Sequence, residues 1–204
     1  MGIYKSGDIS KELEKYFGEC IYFYDDFIDG QLTNKKVRIG SYNGNLVNLH
    51  RDWVIVSGEP SISNEMLNIH NGDVLYIPSK FTQGLWEYKI KIPSNATEGR
   101  LKCYVIYEKE DCYWVFGVWY DGKVYIDKHT ESASVTIYAE ELNLNDDMFH
   151  IYKIIRDGSG NWKFYLDDIE KKTWSDTYLP DNPAQMRIES DLNSIVTIDY
   201  IKLK

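Results

Sequence analysis

Gly84-Leu85-Trp86-Glu87-Tyr88-Lys89-Ile90-Lys91-Ile92-Pro93 decides the fold class. From Trp86 to Ile92 every even position is apolar or aromatic, and every odd position is charged. Side chains alternate between the two faces of a sheet, so a period of two marks a half-buried strand. One face meets a core and the other meets water, as in antiparallel sheets. Pro93 ends the strand because it has no N–H to give to a ladder.

The same period runs through most of the chain. Leu101, Cys103, Val105 and Tyr107 fall on one face of the next strand. Tyr113 to Tyr120 reads YWVFGVWY, which is apolar on both faces and predicts a central strand. Glu108-Lys109-Glu110-Asp111 before it reads as a charged hairpin turn. Asp121-Gly122 after it predicts a hairpin into Lys123–Asp127. Phe149 to Arg156 and Asn161 to Asp167 form another pair, joined by Asp157-Gly158-Ser159-Gly160. Ile195 to Leu203 is the closing strand. Near the start, Ile9, Leu13, Tyr16 and Phe17 recur at helical spacing, with Asp8 as an N-cap. The expected organisation is an N-terminal extension with a short helix over residues 1–20 and one all-β sandwich domain over residues 21–204.

Composition agrees. The 204 residues are 43% hydrophobic and 15% aromatic, which supports a packed core rather than disorder. A chain of this length buries roughly 70% of its unfolded surface, so it needs no staples. There are 23 Lys and Arg against 32 Asp and Glu, a net charge of −9. That balance excludes a broad basic footprint for nucleic acid and disfavours docking on an anionic membrane. No apolar run of about 18 residues exists, so membrane insertion by a helix is excluded. The N-terminal residues lack the apolar core of a signal peptide. No compartment is assigned, and a surface or extracellular role stays open if the chain belongs to a longer protein. Cys20, Cys103 and Cys112 have no metal-ligand spacing and read as small buried residues.

Four segments together carry a resemblance. Tyr24-Asp25-Asp26-Phe27-Ile28-Asp29-Gly30 is similar to the "DDF…dG.L" opening of concanavalin A-like lectin/glucanase domains. Gly84 to Pro93 resembles the "yG.fE.riKlP" strand of the laminarinase-like glycoside hydrolases. Phe149 to Ile154 followed by Trp162 to Asp168 resembles their "FH.Y.i…i.fY.DG" hairpin. Thr197-Ile198-Asp199-Tyr200-Ile201-Lys202-Leu203 resembles their closing "m.vDYvrv" strand. The four occur in the family's order across residues 24 to 203. The resemblance implies a jelly-roll sandwich of two antiparallel sheets, one convex and one concave, with carbohydrate on the concave face.

One departure bears on activity. The resembling hydrolases carry a Glu-x-Asp-x-x-Glu strand whose two glutamates are nucleophile and acid. Retaining hydrolysis needs such a pair about 5 Å apart. The equivalent stretch here, Tyr113 to Trp119, has no carboxylate. The superfamily's lyases use a Gln-x-His strand, and none is present. Of the four histidines, His150 stands where the family has one beside a strand start, which implies packing. No catalytic residue is assigned.

Sugars offer apolar C–H faces for aromatic rings and hydroxyls for polar side chains. On Tyr113–Tyr120 one alternate set is core and the other lines a groove, or both are buried. The expectation is that Trp114 and Phe116 are core, while Tyr113 and Trp119 line the groove with room for a ligand ring over Gly117. Tyr104, Trp174 and Glu87 complete the candidate binding set. Trp174 is expected on the surface or in a loop, and Glu87 on a concave or a solvated face. The resemblance also implies a structural Ca²⁺ at Asp199, with Asp26 and the Gly44 region as partners; hard oxygen ligands suit that ion.

Three functional readings follow. The first is a non-catalytic, lectin-like module that binds a polysaccharide or glycan. The second is a structural or protein-interaction sandwich with a protein partner. The third is a glycoside hydrolase or lyase with a non-standard acid pair, for which Glu108 and Glu87 are the available carboxylates.

Overall fold

The computed structural model describes residues 23–28, 30–33, 39–42, 45–48 and 52–204. The expected N-terminal helix lies outside them. All regular structure among the described residues is β-strand. In chain order the strands are β1 (Phe23–Asp25), β2 (Ile39–Tyr42), β3 (Asn45–Asn48), β4 (Val54–Ser57), β5 (Ser61–Ser63), β6 (Met66–Ile69), β7 (Val74–Pro78), β8 (Gly84–Lys91), β9 (Arg100–Lys109), β10 (Cys112–Trp119), β11 (Lys123–Thr130), β12 (Ala133–Glu141), β13 (Phe149–Arg156), β14 (Asn161–Leu166), β15 (Ile169–Ser175), β16 (Gln185–Ser190) and β17 (Val196–Leu203).

They build two antiparallel sheets and a separate β2–β3 hairpin. Sheet I has the order β15-β14-β13-β8-β17-β6-β5, with β1 also paired to β17; sheet II has the order β12-β11-β10-β9-β16-β7-β4. Neighbours in space come from distant parts of the chain, as in a jelly roll. The closing strand β17 lies beside β8, with Leu203 opposite Trp86 and Ile201 opposite Tyr88.

The alternation of β8 does what its pattern dictates. Trp86, Tyr88, Ile90 and Ile92 are fully buried, and Lys89 and Lys91 point to the other side. Sheet II supplies Leu101, Cys103, Trp114, Phe116 and Val118 from its inner face. The layers meet through aromatic contacts, with Tyr88 edge-on to Phe116 at 5.0 Å and Tyr152 stacked on Phe116 at 5.6 Å. Four tryptophans stack at one end. Trp162 lies 5.5 Å from Trp174, 4.5 Å from Trp114 and 6.3 Å from Trp86. Large rings of this kind contribute most to burial, at about 25 cal/mol per Å².

Turns follow the local chemistry. Gly122, at φ +79°, lets the β10–β11 hairpin close on the Trp119 carbonyl at 2.9 Å. Asp157 accepts from the Ser159 and Asn161 amides, each at 2.9 Å, and so shapes the β13–β14 turn. Cys103 and Cys112 are free and buried.

One face assignment changes. The pattern put Tyr107 with Cys103 toward the core. A bulge in β9 shifts the register, so that Trp114 faces Ile106 but Val115 faces Tyr104. Val105 is the extra residue, and Val105 and Ile106 both join the core. Tyr107 therefore emerges outward beside Tyr104.

Candidate functional site

The bulge helps build a second aromatic cluster on the outer face of sheet II. Tyr104, Tyr107, Val115 and Tyr125 are its buried members, with Tyr113 and Trp119 packed against them. Strand register sets these side chains in rows across the sheet. The first row is Gln185, Tyr107, Tyr113, His129 and Ser134; the second is Arg187, Tyr104, Val115, Asp127 and Thr136. The third is Glu189, Lys102, Gly117 and Tyr125, and Arg100 faces Trp119 beyond it. Small residues at 115 and 117 thus sit between large ones, and a cavity of about 240 Å³ forms over Val115. Its walls include Arg100, Tyr104, Tyr113, Tyr125, Asp127 and His129.

The rings brace one another. Tyr113 stacks on His129 at 4.2 Å and stands edge-on to Tyr104 at 4.9 Å. Each such pair contributes roughly 0.5–1.5 kcal/mol beyond its burial. Tyr104 donates its hydroxyl to Glu189 at 2.9 Å, and Arg187 holds the other oxygen of Glu189 at 2.5 Å. Burial pushes the Tyr113 hydroxyl up to about 12, with the negative charges of Asp127 and Glu189 adding to it against the pull of Arg100. Burial also raises Tyr104 and Tyr125. These phenols stay neutral at physiological pH and serve as hydrogen-bonding groups, not as ready bases. Burial lowers the pKa of His129, and Arg100 adds to that effect while Asp127 opposes it. The ring is therefore biased toward its neutral form, with Nε2 3.1 Å from the Ser134 hydroxyl.

Three of the five sequence-derived binding residues come together here: Tyr104, Tyr113 and Trp119. The expected partition of β10 holds, since Trp114 and Phe116 are core. The open room over Gly117 does not. A Cβ at Gly117 would meet the Tyr125 hydroxyl at 2.3 Å, so the Tyr125 ring already covers that glycine. The cavity lies beside this ring instead.

Trp174 and Glu87 lie elsewhere. Trp174 is on strand β15, not in a loop, and its ring is stacked 9° from parallel with Trp162 in the core stack. Glu87 is on sheet I, facing away from the core. It accepts from the Tyr200 hydroxyl at 2.9 Å and pairs with Lys202 at 3.5 Å and Lys153 at 3.6 Å. Glu108 lies one residue before the end of β9 and accepts from the Asn182 amide at 3.1 Å. With Glu87 on one sheet and Glu108 on the other, these two carboxylates cannot flank one glycosidic bond.

The residues of the expected calcium site are placed in part. Asp199 pairs with Lys89 at 2.7 Å. Asp26 accepts from the Ile28 amide at 3.3 Å, and Gly44 lies outside the described residues. The buried carboxylate of the opening segment is Asp25, which binds the Trp53 indole at 2.8 Å and the Phe27 amide at 3.1 Å. Among the described residues no group of three or more His, Cys, Asp or Glu is gathered to hold a metal.

Sequence reasoning missed Arg100, Lys102, Tyr107, Tyr125, Asp127, His129, Arg187 and Glu189. A signal was present for one strand: Tyr125, Asp127 and His129 alternate with the buried Val124 and Ile126.

The geometry can be set beside known structures. No family model and no curated protein matches the chain. Solved structures do match. The carbohydrate-binding module CBM66 from Bacillus subtilis has a TM-score of 0.59 at 15% identity, covering 74% of this chain and 95% of that one. Porphyranase B from Zobellia galactanivorans has a TM-score of 0.63 at 12% identity, covering 89% and 90%. A family 16 glycoside hydrolase from Bacteroides ovatus, solved with a mixed-linkage glucan product, has a TM-score of 0.63 at 14% identity, covering 90% and 100%. The fold is therefore the concanavalin A-like jelly roll that the four segments implied.

Proposed function

We propose that this protein is a non-catalytic carbohydrate-binding module and that the outer face of sheet II receives the glycan. The observation that carries this reading is the cavity over Val115, walled by tyrosines held neutral and by polar side chains. Aromatic faces for C–H groups beside fixed donors and acceptors are what a sugar ring requires. The kinship of fold with a carbohydrate-binding module and with glucan-active enzymes supports it.

The absence of a carboxylate pair favours binding over hydrolysis. Tyr113, Val115, Gly117 and Trp119 face outward on β10, and none is acidic. Asp127 on β11 is the one acid among the residues that line the cavity; Glu189 on β16, with Asp191 beside it on Lys102, stands three strands away. At about 4.8 Å per strand that is roughly 14 Å between backbones. Retaining and inverting pairs need about 5 and 6.5–9.5 Å between carboxyl groups. Glu189 is also occupied by Tyr104 and Arg187.

A structural calcium ion at Asp199 and Asp26 belongs to the same proposal, and the ion would have to displace Lys89 from Asp199. A protein-interaction role is the second reading, favoured by the exposed Val54, Ile55 and Val56 of edge strand β4. The test is retention on immobilised polysaccharides while the supernatant is checked for new reducing ends or unsaturated products. Retention without products is expected. Products would overturn the non-catalytic reading, and no retention on any glycan would favour the second one.

A further inference from the structure

We infer that the glycan is acidic, with Arg100 binding a carboxylate or sulfate carried by a sugar ring; this rests on the glycan-binding reading above. The argument begins with which charges on the outer face of sheet II are already paired. Lys102 is held by Glu189 at 3.4 Å and Asp191 at 3.8 Å. Arg187 is held by Glu189 at 2.5 Å. Arg100 has no carboxylate within ion-pair distance among the described residues. In a chain with 32 acidic and 23 basic residues, carboxylates to pair with it are not scarce. The fold has left this guanidinium open beside the cavity.

Arg100 is also fixed in place. Its guanidinium lies 4.8 Å from the centre of the Trp119 ring and 5.6 Å from that of Tyr125. These cation–π contacts use up no N–H donor. The guanidinium is a planar fork of donors that matches an oxyanion, and holding it against two rings reduces the side-chain entropy lost on binding. Tyr125 does two things at once: its ring covers Gly117, and its face supports Arg100.

The rest of the cavity has different needs. Asp127 Oδ1 is buried without a hydrogen-bond partner, and so is the Tyr125 hydroxyl, on a side chain only 4% exposed. Unmet buried polar atoms destabilise a fold, so a ligand that satisfies them is favoured. Asp127 needs a donor, such as a sugar hydroxyl, and would repel an anion. Arg100 faces Trp119, while Asp127 faces Val115, four residues back along β10. That is about 13 Å between backbone positions along the strand. A small free anion supplies a charge for Arg100 but no donor for Asp127. A glycan lying over β10 supplies both, with its anionic group on Arg100 and hydroxyls of the same or the adjoining ring on Asp127.

The experiment compares affinity electrophoresis in gels holding neutral laminarin or mixed-linkage β-glucan, carboxylated polygalacturonate or alginate, and sulfated carrageenan. The wild type and Arg100→Gln are run at low and at high salt, and their melting temperatures are compared to confirm folding. The wild type is expected to bind an acidic polysaccharide at least tenfold more tightly than the neutral ones, with a preference that weakens as salt screens it. Arg100→Gln is expected to erase that preference, and Arg100→Lys to restore part of it by keeping the charge without the fork. Comparing the carboxylated and sulfated gels identifies the anion. Equal or better binding of neutral glucans by the wild type overturns the inference while leaving the glycan reading intact. So does a preference that survives in Arg100→Gln. No retardation in any gel removes the glycan reading, and this inference with it.

Discussion

Replacing Gly117 with alanine separates a filled face from an open one. Gly117 lies mid-strand without a positive φ, so backbone propensity alone favours alanine there by roughly 0.5–1 kcal/mol. If the space above it were open, Gly117→Ala would be neutral or stabilising. The structure gives the opposite sign. The new Cβ would stand 2.3 Å from the Tyr125 hydroxyl, 2.4 Å from Tyr125 Cζ and 2.5 Å from the Leu101 carbonyl oxygen. The Leu101 oxygen belongs to the neighbouring strand and cannot give way alone. Tyr125 is packed against Trp119 at 5.9 Å. Overpacking of this kind costs about 1–3 kcal/mol. In a domain of this size that lowers the melting temperature by about 2–4 °C per kcal/mol. The assay is thermal unfolding of Gly117→Ala, of Tyr125→Ala and of the double variant. The two changes are expected to be strongly non-additive, because removing the Tyr125 ring removes part of the clash. A melting temperature unchanged or raised in Gly117→Ala would refute the reasoning.

Other outcomes can be measured on the same material. Burial lowers the His150 pKa, but hydrogen bonds to Asp167 at 2.7 Å and Asp146 at 3.2 Å, with the attraction of both carboxylates, raise it overall. Its contribution to stability is therefore full below the unfolded value of about 6.5 and is lost as pH rises through the raised folded value. His150→Gln should thus cost more at pH 5.5 than at pH 8.5 in urea titrations, and an equal cost at both would contradict it. His129, lowered mainly by burial, has the opposite sign: stability is lost as pH falls through the unfolded value, so His129→Gln should be relatively better tolerated in acid. Glu87→Ala removes a carboxylate shared by Lys153, Lys202 and Tyr200; it should destabilise by about 1–3 kcal/mol yet leave glycan retention unchanged. Loss of retention with an unchanged melt would return Glu87 to the binding site. Calcium should raise the melting temperature, and Asp199→Ala should abolish that rise; a melt indifferent to calcium and chelator removes the ion from the proposal.

Local periodicity made the sandwich legible. The alternation of Trp86 to Ile92, the doubly apolar Tyr113 to Tyr120 and the Asp-Gly turn after it all depend on near neighbours in the chain, and all three are found. The partition of β10 was legible for the same reason, since odd and even positions must part. What escaped were features set by distant segments. The β9 bulge at Val105, which turns Tyr107 outward, leaves no mark in the apolar pattern. Nothing near Gly117 in sequence shows that Tyr125 of the next strand lies across it. Trp174 is flanked by Lys171, Lys172, Thr173 and Ser175, which read as surface, because an edge strand buries only one side. Its partner Trp162 comes from β14. The charged side of β8 was read correctly as facing away from the core. A sandwich has two such sides, however, and periodicity does not say which carries a ligand, so Glu87 was grouped with residues of the other sheet. The free state of Arg100 depends on which carboxylates the fold brings near it.

The most direct measurement is amide hydrogen exchange with and without the best-retained oligosaccharide. If the outer face of sheet II is the binding face, added protection should fall on β9, β10 and β11, around Tyr104, Tyr113, Tyr125 and His129, and be lost in Tyr113→Ala. Protection confined to β8, β13 and β17, around Glu87 and Tyr200, would place the glycan on the opposite sheet and contradict the assignment made here.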